Sequence, residues 1–413
     1  MVKMMLAKAL NSFLEYLLCF LILVTMRSVF VHVFGDENPD RLFRILIFLN
    51  VISLILINIK SFYLHKKELI AFFIYLLFVG MLLFYNTFLI VDGLLSYFFN
   101  LILLLPSFWI LVSIYLINHK IDKLFKKFIQ LVLLICSVSL IFWFFGSILH
   151  IIHPTMELPV TWATDMDFLP IRGYWGVYFE TQEIYLLGFS GWRNTAFFVE
   201  GPMFNFILVI TLALLLFLDY EYKLYKILLI LLTIGTTFST TGIFISALLV
   251  LYRIYFVGKM TRNNLLILIF FSPIIIGYTL SFLYDLGLDK AKTSSALMRI
   301  DDIFAGAKAW VDSPFLGHGY RNLEPIIQYM NMVFRPNVGY SNGIFSILVQ
   351  GGVVLFLLCF LPSLLLLCKK TVSYIKFLIL LWLGLLFSTI IDTTPLFLFV
   401  CGLSYSILFY KSK

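Results

Sequence analysis

Apolar runs broken by short polar stretches repeat along the whole chain. They predict helices at 9–33, 42–59, 69–91, 94–117, 128–151, 197–218, 224–239, 240–257, 265–284, 341–367, 377–391 and 396–410. Most of these runs approach the roughly 20 residues that a helix needs to cross a bilayer. The stretch 224–257 reads as two helices, because Thr, Ser and Gly cluster at 236–242. Charge supports that division. With twelve spans and a cytoplasmic amino terminus, nineteen of the thirty basic residues fall on the inner side, as the positive-inside bias requires. A single helix over 224–257 would throw the later basic loops outside.

Composition then removes whole classes. Of 413 residues, 62% are hydrophobic and only 13% charged, too few to cover a water-soluble surface. Disorder is excluded on the same ground. The net charge of +8 is scattered in small groups between apolar runs, so no nucleic-acid-binding stripe is indicated. The five cysteines lie in or beside apolar runs and suggest neither a disulfide framework nor a metal cluster. The first run lacks a small-residue cleavage site and reads as a retained anchor. The expected fold is an all-α polytopic membrane protein, a single membrane domain over 1–413. Two large extracytoplasmic loops, 152–196 and 285–340, are expected to hold any chemistry.

Basic residues sort by side. The inner set is seventeen Lys and two Arg, and the outer set is three Lys and eight Arg, at 27, 41, 44, 172, 193, 299, 321 and 335. A planar guanidinium that stays charged suits bidentate binding of phosphate or carboxylate. Snorkelling and loop ion pairs are the competing explanation, because seventeen of the twenty-two acidic residues are also outside.

The first loop ends in Arg193, and Glu200-Gly201-Pro202 opens the next span. Proline is tolerated in a first helical turn, and a helix amino end beside a guanidinium makes an anion site. Glu200 is read either as the counter-ion of Arg193 or as a catalytic base. In the second loop, Ile300, Ile303, Phe304, Ala307, Trp310 and Val311 share one helical face. A helix over 295–311 is therefore expected on the membrane surface, with Arg299 at headgroup depth. Gly317 and Gly319 bracket His318, with Arg321 close behind. Asn342 stands where a helix cap or a second anion-binding helix end would be. Arg172, Tyr340 and Asn342 are secondary candidates for substrate contact. Asp165 and Asp167 form a short carboxylate pair that reads as solvated loop in preference to a metal site.

Along the chain, in order, come Arg193, Glu200-Gly201-Pro202, Ser239-Thr240-Thr241-Gly242, Arg299 with Trp310, Ser313 to Gly319, and Ser341-Asn342 ahead of Gly351-Gly352. Over residues 190–355 this order resembles the O-antigen polymerase and ligase superfamily; the first five spans resemble it in topology alone. The resemblance implies a GT-C-like glycosyltransferase of the bacterial cytoplasmic (inner) membrane, with both termini cytoplasmic. It also implies undecaprenyl-diphosphate-linked glycans as donors, with no cofactor and no metal. Arg193, Arg299 and Arg321 become the implied pyrophosphate-binding arginines, and Glu200 and then His318 the candidate bases.

Ligases of the superfamily carry a His one position before the site of Asn342, with a Gly ten residues after it. Here Gly352 keeps the spacing, but Ser341 stands at the His position, which favours a polymerase. The usual Gly between the Arg and the Glu is Ala196, and Glu-Gly-Pro replaces the commoner Glu-Pro-Gly. The expected partners are lipid-linked glycans and membrane lipids, with a chain-length regulator and a flippase beside them. Competing readings are an O-antigen ligase acting on lipid A core and a polysaccharide flippase or other transporter. The last should show related halves and charges at the bilayer midplane, and the sequence offers no such repeat.

Overall fold

The computed structural model describes residues 2–32, 38–59, 66–89, 93–159, 170–186, 189–218, 224–253, 266, 294–333, 335, 338–369 and 373–410. Asp165, Asp167 and, but for residue 266, the helix expected at 265–284 lie outside the described residues. In chain order the helices are α1 (Val2–Val24), α2 (Val29–His32), α3 (Asn38–Asn58), α4 (Lys66–Phe88), α5 (Leu94–Tyr97), α6 (Leu105–Ile117), α7 (Ile121–Phe142), α8 (Gly201–Phe217), α9 (Leu224–Thr236), α10 (Thr240–Tyr252), α11 (Ser294–Asp312), α12 (Glu324–Ile327), α13 (Gly343–Cys368), α14 (Ser373–Leu386) and α15 (Pro395–Phe409). Among the described residues, Met5–Val24, Lys66–Phe88, Leu94–Ile117, Ile121–Ile148 and Gly343–Cys368 are long and apolar enough to cross a membrane.

Local chemistry accounts for the interruptions. The expected first span of 9–33 ends early, at Val24. Thr25 returns its hydroxyl to Leu21 O and Ile22 O, and Arg27 turns left-handed at φ 50°. Between α5 and α6 the helix widens into a π-turn over Phe98–Leu104, just ahead of Pro106. A proline lacks the amide and crowds the carbonyl four residues back, and a widened turn relieves both. A second π-turn, Trp143–Ile148, ends the α7 span. The break expected within 224–257 is present, with Phe238 at φ 50° between α9 and α10.

The first loop departs from the all-helical expectation. Five short strands occupy it: β1 (Met156–Leu158), β2 (Ile171–Tyr174), β3 (Tyr178–Glu180), β4 (Glu183–Leu186) and β5 (Phe189–Trp192). The first three pair antiparallel in the order β1-β2-β3, and β4 and β5 form a hairpin. None of these five strands exceeds four residues, too short for an alternating pattern to be read from sequence.

The chain packs as two compact units. The first comprises Met1–Leu46 and Asp122–Asp285, the second Ile47–Ile121 and Leu286–Lys413. In the first unit, Lys127 of α7 pairs with Glu15 of α1 and donates to Ser12 Oγ at 2.7 Å. Phe197, Phe198 and Phe204 stack in sequence under the start of α8. In the second, Trp109 of α6 stacks on Tyr405 of α15 at 4.1 Å and donates to the buried Glu68 of α4 at 3.0 Å. Gly402 permits that approach, since a Cβ there would lie 2.9 Å from Trp109 N.

Candidate functional site

In the first unit the candidates gather at the amino end of α8. Arg193 leaves β5 with its amide on Gln182 O at 3.0 Å, and Gln182 Oε1 accepts the first amide of α8, Gly201 N, at 3.2 Å. Asn194 is fully buried and donates to Ser139 Oγ and Thr236 Oγ1. Ala196 adopts φ 50°. That explains why glycine suits the position, since a Cβ is penalised in the left-handed region. A Cβ at Gly201 would lie 3.1 Å from Thr237 O and 3.4 Å from Arg193 Cδ, so the stem of Arg193 lies along the start of α8. A Cβ at Gly242 would overlap the Asn205 amide, so the first turns of α8 and α10 are in contact. The amino end of α8 therefore stands beside Arg193, and its partial positive charge favours an anion there.

Glu200 takes the extended cap position of α8, yet its side chain does not cap the helix. Its carboxylate lies 3.6 Å from Arg27 Nη2, with both side chains about two-fifths exposed. The counter-ion is thus Arg27 and not Arg193, a correction to one of the two sequence expectations for this residue. Arg27 is placed by the segment after α1: Val29 N donates to Phe197 O, and Val199 N donates to Arg27 O. His32 Nε2 accepts from Arg27 Nε at 3.4 Å. Burial, then the Arg27 charge, lowers the His32 pKa from 6.5 and favours the neutral ring. His32 escaped the sequence reading, and Arg27 entered it only as one of the outer arginines, because the run 9–33 gave no sign of a turn.

Arg172 lies elsewhere in this unit, on the exposed side of β2, opposite Glu157 and Glu180 in register. It lines a cavity of about 620 Å³ whose lining includes neither Arg193 nor Glu200.

In the second unit the loop 313–321 docks on a break in α13. Gly351 (φ −140°, ψ 17°) and Gly352 (φ 61°, ψ −162°) are not helical. Val349 O and Gln350 O accept the amides of His318 and Gly319 at 2.7 and 3.0 Å, and Val353 N and Val354 N donate to Pro314 O and Phe315 O. The loop thus supplies the hydrogen bonds the helix gives up, as buried irregular backbone in a membrane requires. A Cβ at Gly352 would sit 2.2 Å from the Phe315 carbonyl, and one at Gly317 2.5 Å from Gln350 C. Tyr320 is then held by Asn86, Asn100 and Tyr97. Arg321, at φ 63°, has its amide on Gln350 Oε1 and its guanidinium exposed near Ser96 Oγ.

His318 gives Ala309 O a 2.7 Å bond through Nε2, which leaves Nδ1 as its basic atom. Arg299 is exposed on α11. The helix expected at 295–311 is present, and of the stripe read as its membrane-facing side Ile300, Ile303, Phe304 and Val311 are exposed. Asp302, Ala305 and Ala309 are its buried face, and Gly306 is pressed by Tyr340 and Phe345. Arg335 is buried as a structural tie to Asp301 and Asp302. Asp302 also binds Ser341 through its amide (2.9 Å) and hydroxyl (2.5 Å), and accepts the Tyr340 hydroxyl on its backbone carbonyl. Asn342 caps α13, accepting from Ile344 N and Phe345 N.

Residues 224–360 match the family model described as O-Antigen ligase. Over those residues the chain is similar to the O-antigen polymerase/ligase superfamily. Members of this superfamily are glycosyl-transferring enzymes and include both polymerases and ligases. The matched residues take in the turn between α9 and α10, Arg299, the docked loop with His318 and Arg321, and the break in α13. Arg193 and Glu200 precede them. No curated protein and no solved structure matches the chain.

Proposed function

We propose that the protein polymerises undecaprenyl-diphosphate-linked oligosaccharide repeats into O antigen or capsular polysaccharide at the outer face of the bacterial cytoplasmic membrane. Ser341 carries the choice of polymerase over ligase. It stands where ligases of the superfamily have a histidine, and Asp302 holds both its amide and its hydroxyl. A residue so bound supports packing and not proton transfer.

The reaction is a substitution at an anomeric carbon. The acceptor hydroxyl oxygen bonds to that carbon, the bond to the lipid diphosphate breaks, and its electron pair leaves on the phosphate oxygen. Both lipid-linked reactants carry a diphosphate; Arg193 in the first unit, and Arg299 and Arg321 in the second, are each assigned to bind such a group. Fixed guanidinium forks and helix amino ends favour the charge that develops on the leaving oxygen. Glu200 is assigned to receive the acceptor proton, with Arg27 and His32 orienting it, and His318 Nδ1 is the second candidate. The scheme itself calls for no cofactor.

Deletion in the parent strain followed by a glycan gel tests the reading. Lipopolysaccharide capped with single repeats is the expected outcome. Bare lipid A core with accumulated lipid-linked polymer would establish the ligase instead.

A further inference from the structure

The cavity beside β2 has an unusual charge pattern. His150, His153, Thr155, Glu157, Arg172 and Tyr174 line it. Glu157 and Arg172 are direct register partners on β1 and β2, yet among the described residues neither forms an ion pair. Opposite charges this close on neighbouring strands normally meet. Here they face one open space with two imidazoles and a hydroxyl.

The surroundings set the depth. The cavity sits where the α7 span ends, and Lys126 and Lys127 lie near the other end of that span, the cytoplasmic one in the positive-inside reading. From Phe128, roughly 20 residues of helix cross the hydrocarbon and end near Ser147, which puts Phe142 just inside the outer boundary. The turn between β2 and β3 reaches down to that level, with the Trp175 ring 5.5 Å from Phe142. Trp175 is 61% exposed, and Phe144, Phe145, Leu149 and Ile151 at the end of the α7 span, with Val177 in the turn, are exposed too. Its backbone is left-handed at φ 47°, a strained state for a bulky residue. The turn is nonetheless fit for lipid, since Val177 N donates to Tyr174 O and Trp175 N to Thr155 Oγ1.

We propose that this cavity binds a glycerophospholipid headgroup carrying both a phosphate and a primary ammonium, of the phosphatidylethanolamine type. Arg172, aided by His150 and His153, holds the phosphate, and Glu157 holds the ammonium. The acyl chain runs down past Trp175 and the exposed phenylalanines. A purely anionic headgroup would leave Glu157 facing like charge, and a choline headgroup would offer it no N–H donor.

The test uses the full chain in phosphatidylcholine nanodiscs, with brominated phosphatidylethanolamine or brominated phosphatidylglycerol added. The Trp175 signal is the emission difference between the wild type and Trp175→Phe. Half-quenching is expected at about tenfold less ethanolamine lipid than glycerol lipid, the size of one charge-assisted contact. Glu157→Gln should erase that preference, and Arg172→Gln should weaken quenching by both lipids. The wild-type comparison requires no change in the cavity, so a poorly folded variant leaves it intact. Equal quenching by the two lipids, preference for the glycerol lipid, or a Trp175 signal that neither lipid quenches would overturn the proposal. So would displacement of the lipid by an acidic oligosaccharide.

Discussion

The side-chain oxygen of Gln350 accepts the backbone amide of Arg321 at 2.7 Å, while its amide group donates to Asp392 Oδ2 at 2.6 Å. One glutamine next to the break in α13 thus fixes the backbone of an exposed arginine and satisfies a buried carboxylate. Gln350→Leu should lower stability by about 2 kcal/mol, because it leaves buried polar groups without partners. It should also reduce polymer length through Arg321. Thermal unfolding in detergent and a glycan gel would read the two effects, and an unchanged melting temperature would refute the first.

Gly352→Ala should be far more damaging. The added methyl would meet the Phe315 carbonyl, and φ 61° is disfavoured for alanine. Undocking of the 313–319 loop should show as new protease cleavage there. Gly80→Ala, where no atom lies within 4 Å, is the matched control and should be silent.

Ala196→Gly should raise stability by up to about 1 kcal/mol. It relieves a left-handed alanine, and the extra freedom gained by the unfolded chain offsets part of that gain. A lower melting temperature would argue that the methyl group packs better than its backbone costs.

Arg193→Lys and Arg321→Lys should each reduce polymer formation by about a hundredfold while the protein remains inserted, since a point charge does not replace a bidentate fork. Ordinary chain lengths in both variants would remove the diphosphate assignment.

His32 brings a pH dependence. Its pKa is lowered in the fold, so the unfolded chain binds more protons below pH 6.5. The stability it contributes is present above 6.5 and is lost as pH falls through the lowered value. His32→Gln should flatten this slope in melting temperature measured from pH 7 downward, and an identical slope in the variant would exclude His32 as its source.

The sequence discloses these features unequally. The break between α9 and α10 is legible because Thr, Ser and Gly interrupt a run that is otherwise Leu and Ile. The helix α11 is legible too, but not its packing face. In a membrane setting large apolar residues serve lipid as readily as protein, and Ala305, Gly306 and Ala309 make the close contact. Arg335 sorts with the other outer arginines by position, yet it is a buried tie. The pairing of Arg27 with Glu200 and His32 was hidden because the turn that makes it depends on pairing with residues 197–199, far away in sequence. The strands of the first loop are held by one another and by contacts such as Ser147 to Glu180, which no local pattern records.

At Gly351 and Gly352 the helical ladder of α13 is already absent, so a swing of its amino-terminal half would rupture none of its own rungs. The four bonds to residues 314–319 resist such a movement, together with those of Ser346 and Gln350 to Asp392. The stiffness of this joint is therefore set from outside the helix, by a clasp that also carries Arg321, and loosening the clasp would free the joint and the arginine together.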